Sequence, residues 1–431
     1  MRKIKILYDA KVIVDCGAKT GIFNVSYNIL LYLSKINQLE ISLFANKEDT
    51  NKIKSRKDLD YLWKYKVFNT WDFSQKFEKI VRKLNIKTKI DLYKKIICFI
   101  CTPLFLFFII LQKAALVINK KRNKIELNKY DIFFSPHFGF PEVIINNKKI
   151  IKFIILYDTT PVLFPMYFDQ SIMAFYNSII STLDKSTYCL CISLSTKNDF
   201  IKFFGNNLSV EKMFVTYIST AFNMQPYYNK NNFNVISKKY NLPELNNKLN
   251  YFFSLGTIEP RKNHMHIIKC FINFVTKNNI DDLYLIIVGQ IWENFKDEFY
   301  NFFNSISDKI KSKIIILGYV ESDEDINSLL SNSLAFVYLS QYEGFGMPPL
   351  EAMQAGTPVI TSNNSSIPEV VGDAGIMIDY DSEVQCIKAF EDIYFNENLR
   401  VLYIKKGLER TKMFSWENTA NKIVSIFNNV I

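Results

Sequence analysis

Between residues 251 and 359, short apolar runs alternate with longer stretches in which apolar positions recur every three or four residues. The runs at 251–255, 284–288, 314–317, 334–339 and 358–361 have the length of buried strands, and the first three stop at Gly256, Gly289 and Gly318. The stretches between them read as helices. One follows an N-cap at Asn263 and carries Met265, Ile268, Phe271, Ile272 and Val275 on one face; another lies near 292–303, a capped one begins at Asp323, and a fourth opens at Pro348. Strand and helix in strict alternation predict a parallel sheet covered by helices on both faces.

The first half follows the same rule less regularly. A strand at 4–8, a glycine-containing loop, a helix at 24–34 and a strand at 41–45 are followed by strands at 132–135, 150–156 and 188–192. The fold class is α/β, with two parallel-sheet domains in tandem at residues 1–222 and 249–410. The polar segment 223–248, rich in Asn and Lys with Pro226 and Pro243, reads as the linker. At 431 residues the chain is long enough for two cores. Ligands are expected in the cleft between the domains, where strand carboxyl ends and helix N-termini converge.

Composition narrows the picture a little. With 48% hydrophobic and 15% aromatic residues, the chain gives no support for disorder or a fibrous repeat. Lys and Arg exceed Asp and Glu by 53 to 42, which suits an anionic membrane surface or a phosphorylated ligand. Nucleic acid fits poorly, since neither an aromatic-basic platform nor a helix-turn-helix pattern accompanies the charge. Seven cysteines, mostly within apolar runs, read as reduced thiols; Cys98 and Cys101 form a C-x-x-C spacing but have no second pair and no nearby His, so no metal site is expected. The N-terminus reads as a first strand, not a signal peptide, and the expected location is cytoplasmic.

The chemistry concentrates after the run 334–339. Ser340-Gln341-Tyr342-Glu343-Gly344-Phe345-Gly346-Met347-Pro348-Pro349-Leu350-Glu351 places two prolines where a helix starts without losing a hydrogen bond. Amides from Phe345 to Pro349, with Gly344 and Gly346 allowing close approach, suit the phosphates or hydroxyls of a nucleotide sugar. Glu343 and Glu351, separated by seven residues, bracket that anion site: the first for a donor sugar, the second for a bidentate hold on a ribose diol. A carboxylate next to a diphosphate requires cations, and Arg261 and Lys262 supply them after Gly256-Thr257-Ile258-Glu259-Pro260. Fixed cations that strengthen their hold as charge builds on the leaving diphosphate lower the barrier.

Together, G-T-I-E-P-R-K-N and Y-E-G-F-G-M-P-P-L-E-A-M-Q-A-G-T-P-V-I resemble the retaining family-4 glycosyltransferases of bacterial polysaccharide assembly. The likeness extends through Ile367-Pro368-Glu369-Val370, Gly372-Asp373-Ala374-Gly375 and Phe414-Ser415-Trp416-Glu417, and more weakly to Thr20-Gly21-Ile22, Tyr157-Asp158 with Pro161, and Ile192-Ser193. It implies the GT-B fold of two facing Rossmann-like domains, with the nucleotide-sugar donor in the second, the acceptor in the first, and residues 411–431 as a helix crossing back. It also implies that neither a metal nor another cofactor is needed. The resemblance puts Arg261 and Lys262 on the diphosphate, Glu351 on the ribose, Glu343 by the donor sugar, and Gly21 and Gly256 at the donor. Retention there is ascribed to front-face attack, with the leaving phosphate taking the acceptor's proton. Many relatives have His-Asp where this chain has Tyr157-Asp158; either Tyr157 substitutes for that His or His137, in Ser135-Pro136-His137-Phe138-Gly139, acts from a neighbouring strand end. The form of G-T-I-E-P-R-K-N is similar to that of O-antigen mannosyltransferases, which implies GDP-mannose as donor; a lipid-linked oligosaccharide as acceptor would explain the apolar run 96–111 and its basic flanks.

The apolar run 96–111, within an insertion near 96–118, has no charged residue and contains Pro103. It is shorter than the roughly 20 residues a spanning helix needs. Three readings stand: a helix buried in the first domain, a segment dipping into the bilayer, or a true span. Basic residues on both sides, Arg82, Lys83, Lys87 and Lys89 before and Lys120, Lys121, Arg122 and Lys124 after, fit anionic headgroups at the inner face of the plasma membrane. The alternative to an enzyme is a nucleotide-sugar-binding scaffold without turnover, with Tyr157 marking the loss.

Overall fold

A computed structural model of the chain describes residues 2–15, 20–55, 62, 64–69, 126–222, 224–227, 230–243 and 250–431. The first sheet contains β1 (Ile4–Asp9), β2 (Leu39–Ala45), β3 (Lys66–Asn69), β4 (Ile132–Ser135), β5 (Ile151–Leu156), β6 (Tyr188–Cys191) and β7 (Met213–Val215), in the spatial order β3-β2-β1-β4-β5-β6-β7. The second contains β8 (Asn250–Leu255), β9 (Leu283–Val288), β10 (Ile314–Gly318), β11 (Ala335–Tyr338), β12 (Val359–Ser362) and β13 (Ile376–Ile378), in the order β10-β9-β8-β11-β12-β13. The central pairs are parallel, with Ile6 opposite Ile132 and Phe336 opposite Phe253. Strand order reverses between β1 and β4 and again between β8 and β11. Those two switch points are where an open α/β sheet leaves a crevice beyond its strand ends.

The apolar pattern becomes layers. In the second domain Phe252, Leu285, Ile287 and Val337 pack with Ile267, Ile268, Phe271 and Phe274 of the helix His264–Lys277, all fully buried. On the opposite faces one continuous apolar body joins the domains, from Ile6, Tyr8 and Phe134 to Phe253, Phe336 and Tyr338. The last helix, Trp416–Val430, buries Trp416, Ala420, Ile423, Val424 and Phe427 along one stripe. Phe427 meets Phe134 and Phe153 of the first sheet edge-on at 6.2 and 4.8 Å, and the Trp416 indole donates to the Thr220 carbonyl at 2.9 Å. This helix therefore packs back onto the first domain.

Some elements differ from expectation. The helix Gly21–Leu33 starts three residues before 24, because the Thr20 hydroxyl accepts from the Phe23 amide and makes Gly21 its first residue. Asn263 precedes its helix but in a left-handed conformation (φ 63°), with its side-chain amide on the Tyr380 carbonyl and not on the helix. The span near 292–303 divides into a tight turn, Glu293–Phe295, and the helix Lys296–Asn304. The polar segment after 223 contains a helix, Lys230–Lys239, followed by Tyr240; Lys239 and the Tyr240 hydroxyl both reach Asp325 Oδ2 at 2.7 Å. Three strands had no counterpart in the sequence pattern: β3, β7 and β13, each of three or four residues at a sheet edge. Cys189, Cys191, Cys270 and Cys386 are free and buried. The run 96–111, its basic flanks, and Cys98 and Cys101 lie outside the described residues.

Candidate functional site

Loops from the second switch point build the centre. Gly256 and Gly289, at the ends of β8 and β9, have φ of 144° and 152°, and a Cβ on Gly289 would stand 1.9 Å from the Gly256 carbonyl oxygen. Only glycine permits this approach, which sets the course of the chain from Gly256 to the tight turn Pro260–Lys262. The Gln341 amide then donates to the Arg261 carbonyl at 2.8 Å and ties that turn to the loop after β11.

Both cations of the turn converge on one carboxylate oxygen. Glu343 Oε1 accepts from Arg261 Nη1 at 3.0 Å, Lys262 Nζ at 2.6 Å, Ser340 Oγ at 2.6 Å and the Tyr338 hydroxyl at 2.8 Å. Glu343 Oε2 carries no hydrogen bond among the described residues. Arg261 also donates to the Tyr342 carbonyl at 2.8 Å and to Glu259 Oε1 at 2.6 Å. Burial alone would raise the Glu343 pKa, but Lys262 and Arg261 outweigh it and hold the carboxyl at about 2. Burial lowers the Lys262 ammonium while Glu343 opposes the shift. The loop is braced from behind: the Glu343 amide donates to Ser365 Oγ at 3.0 Å, and Ser366 Oγ donates to the carbonyls of Glu343 and Phe345.

Gly346, at φ 115°, starts the helix Met347–Gln354. Amides from Phe345 to Pro349 were expected to point at an anion; Pro348 and Pro349 carry no amide hydrogen, so the donors reduce to Phe345, Gly346 and Met347. The Phe345 ring is 3% exposed and packs on Phe414 and Tyr217, which leaves only its backbone for a ligand. Glu351 lies one turn in, 9% exposed. Burial and then the charge of Asp323 raise its pKa to about 8, against a hydrogen bond from the Ala221 backbone. Among the described residues it has no ion pair.

The first domain closes over this loop. A Cβ on Gly21 would stand 2.9 Å from the Met347 methyl carbon, and one on Gly344 would stand 2.4 Å from the Tyr157 carbonyl oxygen and 2.9 Å from the Asp158 Cβ. Gly21, Tyr157 and Asp158 thus border the second-domain elements directly. The Tyr157 hydroxyl donates to the Pro136 carbonyl at 2.8 Å, and Asp158 Oδ1 accepts from the Thr160 amide at 2.9 Å, capping the following turn. His137 touches the Tyr157 ring edge-on at 5.6 Å; burial lowers its pKa to about 4, so the imidazole is neutral. No hydrogen bond holds its ring nitrogens among the described residues.

Contacts that the sequence pattern did not reveal hold the closure. Ser193 Oγ donates to the Gly344 carbonyl at 2.7 Å, and the Tyr342 hydroxyl donates to Asp199 Oδ2 at 2.7 Å. Glu369, from the second domain, accepts from the amides of Leu194 and Ser195 at 2.6 and 2.7 Å, at the N-terminus of the first-domain helix Leu194–Phe204. A carboxylate there satisfies two amides that have no partner within the helix and faces the positive end of its dipole. Glu369→Ala should therefore open the cleft: small-angle scattering is expected to give a larger radius of gyration than wild type, and an unchanged value would remove Glu369 as a latch.

Residues 236–410 match the family described as Glycosyl transferases group 1. O-antigen chain mannosyltransferase B of Escherichia coli is 30% identical over 58% of this chain and 62% of its own length. O-antigen chain mannosyltransferase RfbU of Salmonella typhimurium is 29% identical over 56% and 60%. The chain thus spans less than two thirds of either relative. The crystal structure of a glycosyltransferase from Rickettsia africae superposes with a TM-score of 0.63 at 14% identity, over 100% of this chain and 99% of that one. The fold is the two-domain GT-B arrangement.

Proposed function

We propose, from the match of residues 236–410 to the glycosyl transferases group 1, that the protein is a retaining glycosyltransferase, moving a hexose from a nucleotide-sugar donor to a lipid-linked oligosaccharide during surface polysaccharide assembly. One observation carries the reading. Arg261 and Lys262 are both fixed on Glu343 Oε1, while Glu343 Oε2 accepts no hydrogen bond among the described residues, and the helix Met347–Gln354 opens four residues on. A diphosphate against the two cations and the amides that open this helix places the sugar by that second oxygen.

In the transfer the bond from C1 of the sugar to the diphosphate oxygen breaks, and a bond from C1 to the acceptor hydroxyl forms on the same face. The acceptor's proton goes to the departing phosphate. Arg261, Lys262 and the Phe345, Gly346 and Met347 amides gain most as charge collects there, which is how fixed dipoles and cations lower a barrier. The reading gives the whole of that neutralisation to the protein and expects turnover to survive a chelator of divalent metals. Glu351 takes the ribose diol. With the Tyr157 hydroxyl committed to Pro136, the group left for the reacting centre is His137, as a neutral imidazole.

Mannose from GDP-mannose is the favoured donor because the relatives at about 30% identity are named as O-antigen mannosyltransferases. No helix among the described residues is long and apolar enough to cross a membrane. The net charge of +11 and the basic flanks of residues 96–111 favour peripheral attachment to an anionic inner membrane surface. The test is a screen of GDP- and UDP-sugars for hydrolysis or for transfer into a membrane extract, with and without EDTA. Lys262→Ala is expected to lower kcat/KM with the best donor by about 10²–10³, the loss typical of removing one charge-stabilising group. Turnover unaffected by this substitution would sink the mechanism; binding of nucleotide without turnover of any donor would favour the scaffold.

A further inference from the structure

A cavity of about 110 Å³ lies between the domains. Tyr167, Phe168 and Ile172 wall it on the first-domain side; Glu259, Pro260, Arg261 and Trp292 wall it on the second. We infer that this cavity is the subsite for the acceptor's terminal sugar, a single neutral hexopyranose, with Trp292 as its stacking platform and Glu259 as its hydroxyl acceptor. The inference rests on the glycosyltransferase reading above and adds to it where the acceptor sits and what selects it.

The chemistry of the wall selects the occupant. A pyranose presents a C–H face and a ring of hydroxyl edges, which calls for an aromatic surface beside a charged acceptor-only group. Glu259 provides the latter: its Oε1 is held by Arg261, and its Oε2 has no hydrogen bond among the described residues. Glu259 and Arg261 stand in the same wall as an ion pair at 2.6 Å, which suits an uncharged ring.

The platform is held in place before any ligand arrives. Trp292 lies just past the bridge between Ile258 and Ile291, and its amide donates to the Ile258 carbonyl at 3.0 Å. The indole thus moves with the same loop that carries Arg261. On the opposite wall the Tyr167 ring stacks on Phe164 at 5.8 Å, and Phe164 lies 6.2 Å from Tyr342, the neighbour of Glu343. The cavity is also one guanidinium away from the donor side, because Arg261 binds Glu259 through Nη2 and Glu343 through Nη1. An acceptor seated there bridges both domains next to the reacting centre.

Two measurements test this with separate readouts. The first is transfer from the best donor of the screen to octyl α-mannoside, octyl α-glucoside and octyl β-N-acetylglucosaminide. Trp292→Ala is expected to raise the acceptor KM at least tenfold while moving the donor KM less than threefold, with Trp292→Phe recovering most of the loss and Glu259→Gln raising the acceptor KM as well. The second is intrinsic fluorescence during titration with the methyl forms of the same sugars. The chain has four tryptophans, and the saturable change expected in wild type should vanish in Trp292→Phe, a variant that keeps an aromatic ring in the wall. If no donor turns over, the enzyme reading fails, yet the titration still reports on the cavity. An acceptor KM unchanged in Trp292→Ala, or no sugar of the panel perturbing Trp292, overturns the inference.

Discussion

Replacing Glu343 by alanine is expected to cost both stability and turnover, and glutamine at the same position is expected to separate the two. Glu343 is the shared counter-ion of Arg261 and Lys262, whose side chains are 17% and 13% exposed. Removing one partner of a buried ion pair typically costs about 3–5 kcal/mol, because the other charge is left without compensation. Here two like charges would remain side by side, although Glu259 still holds Arg261. Urea unfolding of Glu343→Ala should show that loss. Adding Lys262→Met should recover part of it, since the pair costs less to remove whole than to break. Pyrophosphate should raise the melting temperature of Glu343→Ala more than that of wild type, as an anion takes the vacated place. Glu343→Gln keeps an acceptor for Arg261 and Lys262 and should stay nearer wild type in stability, while kcat/KM falls about 10²–10³. Wild-type stability in Glu343→Ala would show that the cations do not depend on this carboxylate.

The reason Glu343 was legible is local. β11 is a fully buried apolar strand and β8 is buried from Tyr251 to Ser254, and the glycines and prolines after them mark a turn and a helix start within a dozen residues. Arg261 and Lys262 are about eighty residues away from Glu343 in sequence, but parallel strands with a common switch point bring their carboxyl ends together, so the alternation of strands carried that information too. What stayed hidden depends on contacts with no local period. Glu369 reaches helix amides 175 residues earlier, and its carboxylate in a short helix looks like any solvated charge. Phe345, within the motif, sends its ring into the core, since the sequence cannot say which side of a loop a side chain takes. β7 and β13, at three residues each, are too short for alternation to register. Trp292 stood in a helical stretch by period, and only the bridge at Ile258 and Ile291 shows why the chain remains extended there.

Nucleotide binding is expected to tighten as pH rises from 6 to 9, with Glu351 as the cause. Its carboxyl, ordinarily near 4.5, is pushed up to about 8 by burial and by Asp323, so at neutral pH the empty protein holds it mostly protonated. Ribose hydroxyls are better donors to a carboxylate than to an acid, and binding them should release that proton. Affinity then rises by up to about tenfold per pH unit below 8 and levels off above it. Calorimetry in two buffers of different ionisation enthalpy counts the proton directly. The same shift has an opposite sign for stability. Below about pH 4.5 the group is protonated in both the folded and unfolded chain and contributes nothing. Between 4.5 and 8 only the unfolded chain ionises, so the fold loses stability as pH rises, by up to about 1.4 kcal/mol per unit; above 8 the loss is complete. Asp9, raised by burial to about 7, adds to that slope between its ordinary value and 7. Glu351→Gln, isosteric with the protonated acid, should therefore flatten the fall in stability between pH 5 and 8 while weakening nucleotide binding at pH 9 at least tenfold. If the variant keeps the wild-type slope and the wild-type proton release, the titrating group lies elsewhere and Glu351 does not hold the ribose.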